Sequence, residues 1–401
     1  MRRHRGTPGG TVLAFAAAAL LLLSGMAGAV PRVPAADDEV VESLPVVAGW
    51  TQEQRRLRRE LVQRPGDPAT AIAAATAYLN LAREQGDARY AGYAMGALQP
   101  WASAPAAQTP PAVLVMRATI AQFLHDFDGA ERTLKAALAR QPGNAQAWIT
   151  LATVLRVQGR YTESDAACRA LGRAGPALYG LACLAENDAL RGSHGEARDA
   201  FQGLLANPAL AEPAQAATRQ WLLTSLAEVE ELAGRTAQAD AAYRAALAAQ
   251  RSGYLLLAYS DFLQRSSRGA EVLTLLAGEA RSDAVVLRLA IASAHAKGKS
   301  DVGGKGDATE LRERFEAAAQ RPGTTALHAR EEAMFALDVQ NDAARALKLA
   351  RLNAQRQREP IDLLIYARAA VAAGDSAARA EVRQLMQQIG LKDARVDAAL
   401  S

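Results

Sequence analysis

Between residues 145 and 176 the apolar positions keep a helical period twice over. In Trp148-Ile-Thr-Leu-Ala-Thr-Val-Leu-Arg-Val-Gln-Gly-Arg-Tyr161, Trp148, Leu151, Ala152 and Leu155 recur at steps of three and four, the spacing of one helix face. Gly159 interrupts the run, and a second begins with Tyr161 and continues through Ser164, Cys168 and Leu171 to Pro176. A glycine suits a helix end because it enters the left-handed region without strain. A proline stops a helix because it lacks the N–H. The stretch predicts two antiparallel helices joined by a short turn.

That hairpin recurs. Ala130 and Pro142 lie 34 residues before Ser164 and Pro176, and Ala130-x3-Leu134 has the same small-then-large spacing. Downstream come Ala197-x3-Phe201, Ala239-x3-Tyr243, Ala270-x3-Thr274, Leu311-x3-Phe315, Ala343-x3-Leu347 and Ala378-x3-Val382. The step to Leu311 is long, and the excess is the loop KGKSDVGGKGD. One divergent hairpin precedes the clear units, so about nine hairpins are predicted from Asp67 to Gly390, after a leading helix that starts at Thr51. A single hairpin cannot bury its apolar faces alone, so such units stack.

The order W-x2-L-G-x2-Y, then A-x3-F, then P over about 34 residues is the tetratricopeptide pattern. Trp148 to Pro176 resembles it, with Ala for Gly, Leu for Tyr, Ser for Ala and Cys for Phe. The resemblance implies an all-α fold, a tetratricopeptide-type α-solenoid winding as a right-handed superhelix. It covers residues 111–282 well and residues 67–110 and 283–390 more loosely. The expected organisation is an N-terminal helix and divergent repeat over 51–110, core repeats over 111–282, and divergent repeats with a cap over 283–401. RVPAADDEVVESLPVVAGW, QPWASAPAAQTPP and NPALAEPAQAATRQ break the rhythm and are expected as a spacer and two surface insertions.

The N-terminus changes the picture of where the chain works. Three arginines, a charge-free apolar run and Ala27-Gly28-Ala29 follow one another in the order of a secretory signal peptide over residues 1–29, with a spacer over 30–50. An uncleaved anchor is the alternative, and it would be the only membrane contact. Either way the remainder is expected outside the cytoplasm, in the periplasm or on the periplasmic face of the envelope. The net charge of +4 owes three units to Arg2, Arg3 and Arg5; without them 43 basic residues face 42 acidic ones. A near-neutral chain lacks the electrostatic footprint of a nucleic-acid binder. The abundance of Ala and Leu and an aromatic content of 5% favour helix.

Candidate chemistry is sparse. Gly298 and Gly303 have the outer spacing of a phosphate-binding loop, but Gly304 replaces its lysine and no strand precedes it. His125, His194, His295 and His328 form no paired metal-ligand spacing. His125-Asp126-Phe127-Asp128 reads as a solvated turn. Glu228, Glu230 and Glu231 read as a solvated helix face. No catalytic set, metal site or cofactor site is predicted. Cys168 and Cys183 flank Gly175-Pro176 at similar heights of an antiparallel pair, which fits a disulfide in an exported chain. The family register argues for two free thiols instead, because it turns their side chains apart.

What the resemblance implies for function is a groove lined by first helices, whose second, fifth, sixth, ninth and twelfth positions face a partner. Carried onto this sequence, that register selects Thr150, Thr153 and Arg156, then Tyr179 and Glu186, then Trp221, Thr224 and Glu228, then Leu255, Tyr259 and Phe262. Such a groove suits a protein or peptide ligand. The fifth and ninth positions of the two best units, Val115, Thr119, Ile149 and Thr153, carry no charge, which argues against capture of a terminal carboxylate there. Three readings follow: an exported interaction scaffold; an accessory factor for assembling or exporting a polysaccharide, pilus or membrane complex; and, most remotely, a regulatory subunit of an enzyme.

Overall fold

The computed structural model describes residues 50–85, 89–295, 302–320 and 328–401. The signal-peptide and spacer readings, and residues 297–301 of the glycine-rich loop, lie outside the described residues; from Val302 onward the expected loop is helix. The chain divides into two units at Arg56–Leu57. The first is described only over residues 50–56, the opening turns of α1 (Trp50–Gln63).

The second unit is helical throughout its described residues, which contain no strand. Nine hairpins follow α1 and form an α-solenoid. They are α2 (Pro68–Gln85) with α3 (Arg89–Ala97), α4 (Pro111–Phe123) with α5 (Phe127–Arg140), and α6 (Ala145–Val157) with α7 (Tyr161–Ala174). Next come α8 (Ala177–Leu190) with α9 (His194–Leu205), α10 (Ala216–Leu232) with α11 (Thr236–Ala249), and α12 (Gly253–Arg265) with α13 (Gly269–Leu275). The last three are α14 (Asp283–His295) with α15 (Val302–Ala319), α16 (Ala329–Asp338) with α17 (Ala343–Ala354), and α18 (Pro360–Ala372) with α19 (Ser376–Ile389); α20 (Ala394–Leu400) ends the chain.

The repeated small residues do what their spacing predicts. Ala130, Ser164, Ala197 and Ala239 are fully or almost fully buried, and so are Leu134, Cys168, Phe201 and Tyr243 four residues later. Ser164 Oγ donates to the Ala152 carbonyl at 2.9 Å, joining the helices of one hairpin at their closest approach. First helices start at side-chain caps where the sequence offers one: Asn144 accepts from the Ala147 N–H and Ser252 from the Leu255 N–H. Within hairpins the turn uses one left-handed residue, supplied by Gly159, Gly192, Gly234 and Gly374 and, without glycine, by His125, Ser267 and Asn341.

Cys168 of α7 and Cys183 of α8 are joined as a disulfide, with Cα atoms 5.5 Å apart. The family register had turned these side chains apart. A close crossing removes the obstacle: a Cβ on Gly180 would lie 2.6 Å from the Gly172 Cα, so only glycine lets α7 and α8 approach there.

The C-terminal hairpins fold back onto the turn edge of the central ones. The Arg358 N–H donates to the Val157 carbonyl at 2.8 Å and the Lys392 N–H to the Leu190 carbonyl at 2.9 Å. Arg395 pairs with Glu231 at 3.0 Å. Ile389 packs on Gly159 so closely that a Cβ there would sit 2.8 Å from its Cγ2. One apolar cluster accordingly runs from Tyr161 and Phe201 through Leu287 and Phe335 to Tyr366 and Leu400. The His125 turn, expected to be solvated, is half-buried: Nδ1 lies 3.1 Å from the Gln357 amide nitrogen and the ring stacks on Phe127.

Candidate partner-binding face

Successive first helices carry a connected set of polar and aromatic side chains. Arg156 of α6 pairs with one oxygen of Glu186 on α8. The other oxygen of Glu186 accepts from Ser225 Oγ of α10 at 2.8 Å. One turn further along α10, Glu228 accepts a hydrogen bond from the Tyr254 hydroxyl of α12. Near the other end of α8 and α10, the Tyr179 and Trp221 rings stack with centroids 5.7 Å apart. Tyr254 is 64% exposed, so this face is open to a ligand at α12.

The face is electrostatically tuned. Burial pushes the Glu228 carboxyl up to about 7, aided by the negative charges of Glu186, Glu231 and Glu359 and opposed by the Tyr254 hydrogen bond. Glu228 in turn holds the Tyr254 phenol well above its ordinary value. Arg156 keeps its charge despite burial because Glu186 compensates.

Further along, a cavity of about 340 Å³ opens between α12, α14, α16 and α18. Ile291, Met334, Ile361, Leu364 and Ile365 give it apolar walls. Its charges are spoken for within the fold: Asp261 pairs with Arg288 at 2.7 Å, Arg368 with Asp338 at 2.5 Å, and Arg265 with Glu231.

The structure brings together Arg156, Glu186 and Glu228, and separately Tyr179 and Trp221. It does not bring the remaining selected residues to the face. Thr150 and Thr224 are buried, and their hydroxyls donate to the Gln146 and Gln220 carbonyls one turn back. Thr153 is half-buried and likewise donates to the Ile149 carbonyl. Tyr259 and Phe262 are buried against α11, where both rings pack on Tyr243, and Leu255 is buried with them.

The register on α12 is two residues out: counted back from the left-handed turn residues Gly192, Gly234 and Ser267, Tyr254 falls where Tyr179 and Trp221 do, and Asp261 where Glu186 and Glu228 do. Asp165, the fifth residue of α7, accepts from Asn187, while Asp240, the fifth residue of α11, accepts from Tyr259. Two residues are about 200° of helix rotation, enough to turn Tyr259 from the open face into the joint. Tyr254 reaches the face instead, whereas Asp261 is buried and pairs with Arg288. Glu230 and Glu231, expected on a solvated face with Glu228, are buried and ion-paired. Among the described residues no group of three His, Cys, Asp or Glu could hold a metal.

Residues 124–181 match the family model of the tetratricopeptide repeat. No curated protein matches the chain. Among solved structures, a tetratricopeptide repeat protein from Parabacteroides merdae is similar at 15% identity, over 69% of this chain and 97% of its own, with a TM-score of 0.36. The TPR domain of P58(IPK) is 15% identical over 81% and 96%, with a TM-score of 0.23. Yeast Tom70 is 12% identical over 81% and 87%, with a TM-score of 0.25. Residues 124–181, the segment from the end of α4 into α8, thus carry a tetratricopeptide repeat within a row of stacked helical hairpins.

Proposed function

We propose that this protein is an exported, non-catalytic scaffold that holds a protein or peptide partner on the face formed by α6, α8, α10 and α12. The observation that carries the reading is Tyr254, a large aromatic residue 64% exposed beside the ladder from Arg156 through Glu186 to Ser225 and the neighbouring Glu228. Aromatic and arginine side chains tend to dominate interface energy, and the ladder gives that anchor a fixed charged surround. The sequence supports a periplasmic setting through its N-terminal pattern, and the Cys168–Cys183 disulfide suits an oxidising compartment.

The test is a photo-crosslinking residue at position 254 in intact cells, compared with the same probe at exposed Val62. Position 254 is expected to capture a discrete protein that position 62 does not. Adding Arg156→Gln should weaken that capture about tenfold, the effect of losing one charge-assisted contact. Equal capture at both positions would place the partner elsewhere. Fractionation of the cells before crosslinking tests the periplasmic assignment separately.

A further inference from the structure

The turn arginines of this solenoid follow a rule that one joint breaks. The fifth residue of a second helix is an acid in three hairpins: Glu131 in α5, Asp165 in α7 and Asp240 in α11. Each pairs with an arginine from the turn of the next hairpin. Glu131 meets Arg160 at 2.6 Å, Asp165 meets Arg191 at 3.0 Å and Asp240 meets Arg268 at 2.9 Å. In α9 the fifth residue is Arg198, yet the following turn still carries its arginine, Arg235. Where the other joints have an attractive pair, this one has two cations.

Glu230 of α10 stands between them, only 3% exposed. One of its oxygens accepts from Arg198 Nε at 2.7 Å and the other from Arg235 Nε. One carboxylate for two guanidinium groups leaves the joint with a charge of +1. Each arginine also keeps its Nη2 shielded from solvent with no hydrogen-bond partner. Shielded donors without acceptors are rare in folded proteins because each is costly to leave unpaired. Both arginines line a cleft of about 470 Å³ that also includes Gln202, Gln238 and Leu226.

We propose that this cleft binds a carboxylate supplied by another molecule, in place of the acid that the chain itself provides at the other joints. Guanidinium groups pair with carboxylates in a planar, two-bond geometry. A single negative charge matches the +1 of the joint, whereas a phosphate dianion would leave uncompensated negative charge beside Glu230. The Gln202 and Gln238 amides offer further donors. The site does not depend on the face around Tyr254 and uses none of its residues.

Calorimetric titration of the full chain at constant ionic strength tests this, with four probes: N-acetylglutamate amide, its glutamine counterpart, acetate and inorganic phosphate. The glutamate compound is expected to bind saturably, and the glutamine compound at least about tenfold more weakly. Acetate binding as well as the glutamate compound would identify a small free carboxylate as sufficient; a preference for the glutamate compound would identify an acidic side chain of a protein. Arg198→Glu, which restores the acid of the other joints, should abolish binding while helical circular dichroism is unchanged. Arg235→Gln provides a second test should that variant fold poorly, and should weaken binding about tenfold. The proposal is overturned by absence of saturable binding to the unaltered chain, by equal binding of the two acetylated compounds, by tighter binding of phosphate, or by unchanged binding in both variants.

Discussion

Burial of Glu228, with the charges of Glu186, Glu231 and Glu359 adding to it, gives a single side chain a pH signature. Its folded pKa, pushed up to about 7, lies above the ordinary carboxylate value, so between those two limits the folded chain binds more protons than the unfolded chain. Stability contributed by the neutral carboxyl is therefore present at low pH and lost as pH rises from about 4.5 towards 7. Replacing Glu228 with Gln should flatten that fall by up to about one proton, read from the slope of unfolding free energy against pH. An unaltered slope would show that the group titrates as an ordinary surface carboxylate. Trp148 makes the contrasting case of a residue that packs. It lies half-buried against the cluster containing Leu134 and Leu151, and its indole N–H donates to the Pro142 carbonyl at 2.7 Å. Truncation to alanine should cost roughly 2–3 kcal/mol, less than the loss typical of a fully buried aromatic. A cost under about 1 kcal/mol in denaturant unfolding would assign Trp148 to the surface.

At the scale of helices, the disulfide between α7 and α8 closes a loop with a sequence separation of 15. A loop of that size restricts the unfolded chain by about 3 kcal/mol. Reduction, or replacement of both cysteines by serine, should lower stability by roughly that amount, and thiol counting on the folded protein should find none free without reductant. Hairpins were readable from the sequence because burial imposes a helical period and turns impose glycine and proline. Ala130, Ser164, Ala197 and Ala239 mark the helix crossings directly. Faces were less readable, because the period does not fix where each helix ends, and a register two residues out on α12 selected buried Tyr259 and passed over exposed Tyr254. The left-handed turn residue is the signal that fixes the register, since Tyr179, Trp221 and Tyr254 lie equally far before Gly192, Gly234 and Ser267. The pairing of Cys168 with Cys183 was undecidable from the pattern alone, because it depends on how closely two glycines, Gly172 and Gly180, let the backbones pass.

At the scale of the second unit, contacts distant in sequence alter how the solenoid should unfold. A repeat array held only by neighbours unfolds in segments. Here Arg358, Lys392 and Arg395 tie the last hairpins to Val157, Leu190 and Glu231. Removing residues 389–401 should split a single denaturation transition into two or broaden it. A transition left equally sharp would mean that neighbour contacts alone set cooperativity. Gly159→Ala probes the same closure by a point change, since it adds a Cβ both to a left-handed residue and against Ile389. None of these long-range ties was visible in the repeat pattern, which encodes only what each hairpin does to the next.

The same closure constrains how a chain like this can change over generations. An open row of repeats lengthens or shortens by whole units, because every joint resembles the next. In this protein Ile389 must arrive at Gly159 and the Lys392 N–H at the Leu190 carbonyl, so the interval between them behaves as a fixed count. Duplication of one hairpin between α10 and α17 would carry the closing segment past its seat. The ring of contacts acts as a ruler, permitting loops to drift while forbidding the gain or loss of a repeat.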